Sequence, residues 1–164
     1  MIKIIGKIGR KSTAGIIVAV CWLTCCGCIY DSPITAKPTK AVNINFLGNW
    51  TSQDGREKMT VGKYDDENYV VVYDGKLYRA WESDVAGTPF FSVEALDSTD
   101  TNSVYKFTYM TWKFAEDGTL RGRSLGDNIV PDNTRGPAAV RKLLRKNLKN
   151  PDLFGDEGVF VKDK

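Results

Sequence analysis

Two hydrophobic patterns divide the chain. Residues 14–23, AGIIVAVCWL, form an unbroken run without charge. From Phe46 onward, apolar and polar positions alternate in short runs separated by Gly, Asp and Asn, which is the period of half-buried strands. This alternation predicts strands over 58–64, 68–73, 76–82, 89–96, 104–114 and 119–125. The run NYVVVY at 68–73 is rich in β-branched and aromatic residues, which suit a pleated, half-buried surface. Asp74 and Gly75 follow it and signal a two-residue hairpin turn, because both tolerate positive φ. In the next arm Leu77, Arg79 and Trp81 share one face, and Tyr78 and Ala80 the other. Pro89 places the start of its run at a sheet edge. Over 104–114, Tyr105, Phe107, Tyr109 and Thr111 alternate with Val104, Lys106, Thr108, Met110 and Trp112.

The period changes once, at about 137–149. Pro137 suits a first helical position. Val140, Leu143, Leu144 and Leu148 then form an apolar stripe at helical spacing. Arg141, Lys142, Arg145, Lys146 and Lys149 occupy the rest of the surface, and Asn150-Pro151 stops the helix. A last strand is expected over 158–162. Six to seven strands, a helix and a last strand predict a mainly β domain. The expected architecture is a small antiparallel β-barrel or strongly curved sheet, with one C-terminal α-helix followed by a last strand.

Residues 28–45 show neither period. They hold Pro33, Pro38, Lys37, Lys40 and small polar residues, the composition of a flexible linker with a reach on the order of 20–25 Å. The expected organisation is a signal segment at 1–27, a linker at 28–45 and a β-rich domain at 46–164.

Charge sharpens this division. Four of the 23 basic residues (Lys3, Lys7, Arg10 and Lys11) precede the apolar run, and no acidic residue lies before Cys28. The rest of the chain carries 19 basic and 20 acidic residues, so it lacks the net positive charge that favours nucleic acid. Ten apolar residues are too few to cross a bilayer core of about 30 Å as a helix. A basic start and a short apolar core are the layout of a cleaved export signal, led by a signal helix. A buried N-terminal helix is the alternative, and it leaves four charges and a cysteine cluster without a role.

The run LTCCGC at 23–28 resembles the lipobox of bacterial lipoproteins. That resemblance implies a diacylglyceryl thioether on the cysteine, cleavage just before it, and acylation of the new amino group, as by palmitate. Cys28 follows Gly27 and is the favoured attachment site, with Cys26, which has Leu23 and Thr24 upstream, as the alternative. Ile29 stands where aspartate tends to retain such proteins at an inner membrane. The resemblance therefore implies the periplasmic side of an outer membrane in a cell with two membranes.

The opening FLGNW at 46–50, followed by antiparallel strands, a late helix and a last strand, resembles the lipocalin group. This implies that Gly48 and Trp50 close a barrel floor, with a late arginine, Arg121 or Arg123, over the Trp. It also implies a cup for a small apolar ligand, for which Trp81, Tyr109 and Trp112 are further lining candidates.

The inventory of reactive groups is narrow. There is no histidine, and all four cysteines (Cys21, Cys25, Cys26 and Cys28) lie within eight positions. The exported domain thus has no disulfides, and His- or Cys-based catalytic triads and transition-metal sites are excluded. No cofactor is expected. Asp65-Asp66-Glu67 and Glu116-Asp117 are the candidate paired carboxylates, but they sit at strand ends where acidic residues serve turns. The basic helix face reads either as a solvated surface or as a dock for anionic lipid headgroups. The expectation is a non-enzymatic, membrane-anchored envelope lipoprotein that binds an apolar ligand or an envelope component. The alternative is a structural or interaction lipoprotein with a filled core.

Overall fold

Eight short strands close on one another in the computed structural model, which describes residues 30–96 and 107–164. They are β1 (Gly48–Ser52), β2 (Lys58–Lys63), β3 (Tyr69–Tyr73), β4 (Lys76–Val85), β5 (Thr88–Ala95), β6 (Phe107–Phe114), β7 (Leu120–Leu125) and β8 (Phe154–Lys162). Each pairs antiparallel with the next, and β8 returns to β1 through Trp50 opposite Lys162. The sheet is therefore a closed barrel, with no free edge. Among the described residues the one α-helix, α1 (Pro137–Asn147), lies between β7 and β8. Gly136 precedes it at φ 79°, a conformation that favours glycine.

The domain holds eight strands because they are short and tightly joined. Asp74 and Gly75 both take positive φ (49° and 71°), as a two-residue turn with right-handed strand twist requires. Ala86 and Gly87 repeat this at 54° and 86°. Residues 83–88 fall between the strands expected over 76–82 and 89–96, yet β4 runs to Val85 and β5 restarts at Thr88. The Asp84 carboxylate accepts the Gly87 N–H at 3.0 Å and helps hold Ala86 in its unfavoured conformation.

Register sorts the side chains. Trp50 faces Met59, which faces Tyr73. Tyr69, Ala80, Val93 and Thr108 follow on one ladder line. Phe91, Met110 and Ser124 follow on another. All these residues point into the lumen, and all but Thr108 and Ser124 form the inner core with Phe46, Val61, Leu120 and Phe160. The opposite parity faces outward, and over part of β4–β7 it is also buried. There Trp81, Val85, Phe90, Phe107, Tyr109 and Leu125 form an outer core. It is covered by Val140 and Leu144 of α1, by Ile129 and Val130, and by Tyr30 and Ile34.

Residues 28–45 were expected as a flexible linker, and from Tyr30 the chain is instead packed. Tyr30 exchanges two backbone hydrogen bonds with Phe107, at 2.7 and 2.9 Å. Its ring stacks on Tyr109 at 4.3 Å. The Ile34 N–H donates to Ser92 Oγ at 3.0 Å, and Thr35 Oγ1 meets Ser83 Oγ at 2.5 Å. Further on, the Thr39 N–H donates to the Glu82 carbonyl and the Val42 N–H to that of Asp66. This segment is a strap along the outside of the barrel. An extended strap has no period of its own, so it is compositionally indistinguishable from a linker. The segment expected as a signal (1–27), Cys28 and residues 104–106 lie outside the described residues, and with them the alternative Cys26.

Candidate functional site

The two ends of the lumen differ. Strands β2, β4, β6 and β8 finish at one end, where β1 begins, and a 3₁₀ turn (Ile44–Phe46) folds across it. Trp50 is fully buried there, and its Nε1 donates to the Phe46 carbonyl at 2.9 Å. The Phe46 ring lies 6.1 Å from Tyr69 and 5.9 Å from Phe91, and these two are 5.9 Å apart. The Tyr69 hydroxyl accepts the Asn43 N–H at 2.7 Å, and burial pushes its phenol up. Three mutually tilted aromatic rings over a hydrogen-bonded Trp make a sealed end.

Gly48 and Trp50 work as a pair at this end. Gly48 has φ 136°, and a Cβ added there would stand 2.7 Å from Lys162 Cε. The missing side chain leaves room for the Lys162 stem, whose ammonium lies 5.4 Å from the Trp50 ring centroid. A cation over this ring is worth about 0.5–1 kcal/mol when exposed. The resemblance assigned that place to Arg121 or Arg123, and neither occupies it. Both face outward: Arg121 pairs with Asp117 at 2.8 Å, and Arg123 donates to the Gly155 and Phe154 carbonyls. Lys162 reaches the ring because β8 closes on β1, a pairing that chain spacing does not reveal.

Toward the other end, Val71, Tyr73, Val93 and Met110 line the lumen and are only partly buried, as is Trp112 nearer its middle. Trp112 lies flat against β7, where a Cβ on Gly122 would come within 2.6 Å of its ring. Its Nε1 reaches Met110 Sδ at 2.9 Å, and its ring lies 5.8 Å from Phe160. The Tyr73 phenol is pushed up by burial and by the Glu57 carboxylate that it hydrogen-bonds. Among the described residues this half of the lumen is the less buried one, and it carries the Tyr73, Thr108 and Ser124 hydroxyls beside its apolar side chains.

Of the sequence candidates, the structure brings Gly48, Trp50 and Trp112 into the lumen and leaves two outside. Trp81 and Tyr109, expected as cup or floor residues, are in the outer core. Trp81 pairs with Ser92, which pairs with Tyr109, all on the outward parity. Trp81 packs edge-on against Phe107 at 5.8 Å, under the Arg79 guanidinium at 5.2 Å. Tyr109 donates its hydroxyl to the Ser32 carbonyl. The mouth residues Val71, Tyr73, Val93 and Met110 were not singled out from sequence. Register with Trp50 was the missing signal.

The acidic clusters hold turns. Asp65 accepts the N–H groups of Glu67 and Asn68 at 2.8 and 2.7 Å, and the Asn68 amide. Asp117 accepts from Thr119 and Arg121, and these bonds pull its carboxyl down to about 2. Among the described residues, no group of three or more His, Cys, Asp or Glu side chains could hold a metal ion.

Helix α1 carries the remaining charge. Arg141, Lys142, Arg145, Lys146 and Lys149 are exposed, and the first three edge a shallow depression with Ala138. No acidic residue lies in 137–149, and none of these cations is ion-paired among the described residues. Arg141 with Arg145 and Lys142 with Lys146 are like charges at i,i+4 within α1. Each such pair costs about 0.2–0.5 kcal/mol. No described helix is long and apolar enough to cross a membrane.

No family model, curated protein or solved structure matches the chain. Its class is defined by geometry alone: a closed, eight-stranded antiparallel barrel, compatible with a lipocalin-like barrel.

Proposed function

We propose that this chain is a lipid-anchored envelope lipoprotein whose barrel binds an acyl chain or similar apolar group at its open end, without catalysis. The observation that carries the reading is the asymmetry of the lumen. One end is sealed by Phe46, Trp50, Tyr69 and Phe91, while Val71, Tyr73, Val93 and Met110 stay partly exposed at the other. A concave apolar wall with few polar groups suits an apolar ligand. The LTCCGC run supports attachment at Cys28, or at Cys26, and Ile29 supports the periplasmic face of an outer membrane.

Purified full-length protein titrated with palmitate or a lysophospholipid is expected to show a saturable shift in Trp emission, largely lost in Trp112→Phe. Emission that never saturates, or a response unchanged in Trp112→Phe, overturns the ligand reading. Intact mass of the membrane-extracted protein tests the anchor, which an uncleaved and unmodified chain would sink.

A second reading has its own support. Trp112 and Phe160 lie across mid-lumen at 5.8 Å, so side chains fill much of the barrel. This favours an interaction lipoprotein that presents its mouth to an envelope protein. Absence of lipid binding together with a reproducible envelope partner, lost on Met110→Glu, distinguishes it.

A further inference from the structure

The strap fixes where the N-terminal segment leaves the barrel. Tyr30 bridges Phe107, the first described residue of β6, and β6 begins at the open end. In the lipid-anchored reading, Ile29 alone separates Cys28 from Tyr30. Two Cα steps reach at most about 7 Å, and the four steps from Cys26 at most about 14 Å. Such an anchor cannot hold the domain at a distance. It brings the open end against the bilayer.

Helix α1 is tied to the same region. The Gly136 N–H at its start donates to Ser32 Oγ at 2.9 Å, and Arg135 pairs with Asp31 at 2.8 Å. Beyond its C-terminus, the Leu153 carbonyl accepts the Gly126 N–H at 2.9 Å, just past the end of β7 at the open end. A near-neutral domain therefore gathers, close to its attachment point, five exposed cations without an ion pair among the described residues.

We propose that the basic face of α1 docks on anionic phospholipid headgroups of the membrane that holds the anchor, a step that rests on the lipid-anchored reading. Juxtamembrane Lys and Arg gain from a negative surface only within about a Debye length, roughly 8 Å at physiological salt. The short anchor supplies that proximity and raises the effective concentration of headgroups at the helix. Arg141, Lys142 and Arg145 edge a depression that can take phosphate oxygens. The like-charge spacing along α1, unfavourable in water, is relieved by an anionic surface. The same placement turns the mouth toward the bilayer, where acyl chains are found.

The test is lysine footprinting of full-length lipidated protein with a water-soluble acylating reagent, on phosphatidylcholine vesicles with and without phosphatidylglycerol. Lys142, Lys146 and Lys149 are expected to label several-fold more slowly on the anionic vesicles. Lys63 and Lys113, toward the sealed end, label equally on both, and high salt removes the difference. Combined Arg141→Gln, Arg145→Gln and Lys146→Gln, all at exposed positions, restore labelling of Lys142 and Lys149. Equal helix labelling on both vesicles overturns the proposal, as does equal protection of Lys63 and Lys113. An intact mass without lipid is a separate readout, and it overturns the anchored reading along with the docking built on it.

Discussion

The barrel has a core on each side of one sheet, and the two are held by different means. The inner core is almost wholly apolar, and its residues arrive together when the strands pair. The outer core encloses buried Ser32, Thr35, Ser83 and Ser92 among aromatics. It depends on a strap and a helix from opposite ends of the described chain, so these hydroxyls are satisfied only when distant segments meet. The inner core is a product of local alternation, whereas the outer core is a product of long-range assembly with directional bonds.

Removing Trp50 should hurt most. Trp50→Ala empties the sealed end and strands the Phe46 carbonyl, with an expected loss of about 3–5 kcal/mol in denaturant unfolding. A loss no larger than that at an exposed site would show that the inner core is not the keystone. The counterpart in the outer core is Ile34→Ala, expected to cost about 2–4 kcal/mol. Hydrogen exchange should then rise at Tyr30 and Ile34 first, with the Trp50 region keeping its protection. Equal loss of protection in both would merge the two cores into one cooperative unit.

The hydroxyl pair sharpens the contrast in bonding. Thr35→Val leaves Ser83 buried without its partner and should cost about 1–3 kcal/mol. Thr35→Val with Ser83→Ala should cost less than the sum of the two single changes, as a double-mutant cycle will measure.

The smallest effect belongs to a turn outside both cores. Asp117 titrates at about 2 when folded, below its ordinary 3.8, so the folded state binds its proton less readily. Its contribution is complete above pH 3.8 and is lost as pH falls through about 2. Asp117→Asn should flatten that acid limb in a pH series of unfolding midpoints and leave neutral pH little changed.

Much of the fold was legible because its signals are local. Alternation marked β2, β3, β5 and β7 within a residue, ended β4 three residues early and began β8 four residues late, while Asp74-Gly75 marked its hairpin and Pro137 with the Leu stripe its helix. The turn at Ala86-Gly87 was less legible, because alanine rarely takes positive φ and the surrounding residues are polar. The site was only partly legible. Gly48 and Trp50 stood out by their spacing, but Trp81 and Tyr109 carry the same aromatic signal as Trp112 and face the other way. Alternation separates two faces without saying which one is the lumen, and here both are buried. Burial of the outward face depends on the strap, which has no period to read.

The sequence by itself determined the strand and helix segments, the parity of residues within each strand, the charge pattern of α1, and the absence of histidine and of cysteine after Cys28. Those are properties of neighbouring residues, set by backbone geometry and composition. Only the tertiary structure decided that the sheet closes through β1 and β8 and that Lys162 covers Trp50. It alone placed residues 30–45 against the barrel wall and separated the sealed end from the open one. Each of these depends on contacts between residues far apart in the chain, and closure of the sheet is what brings them together.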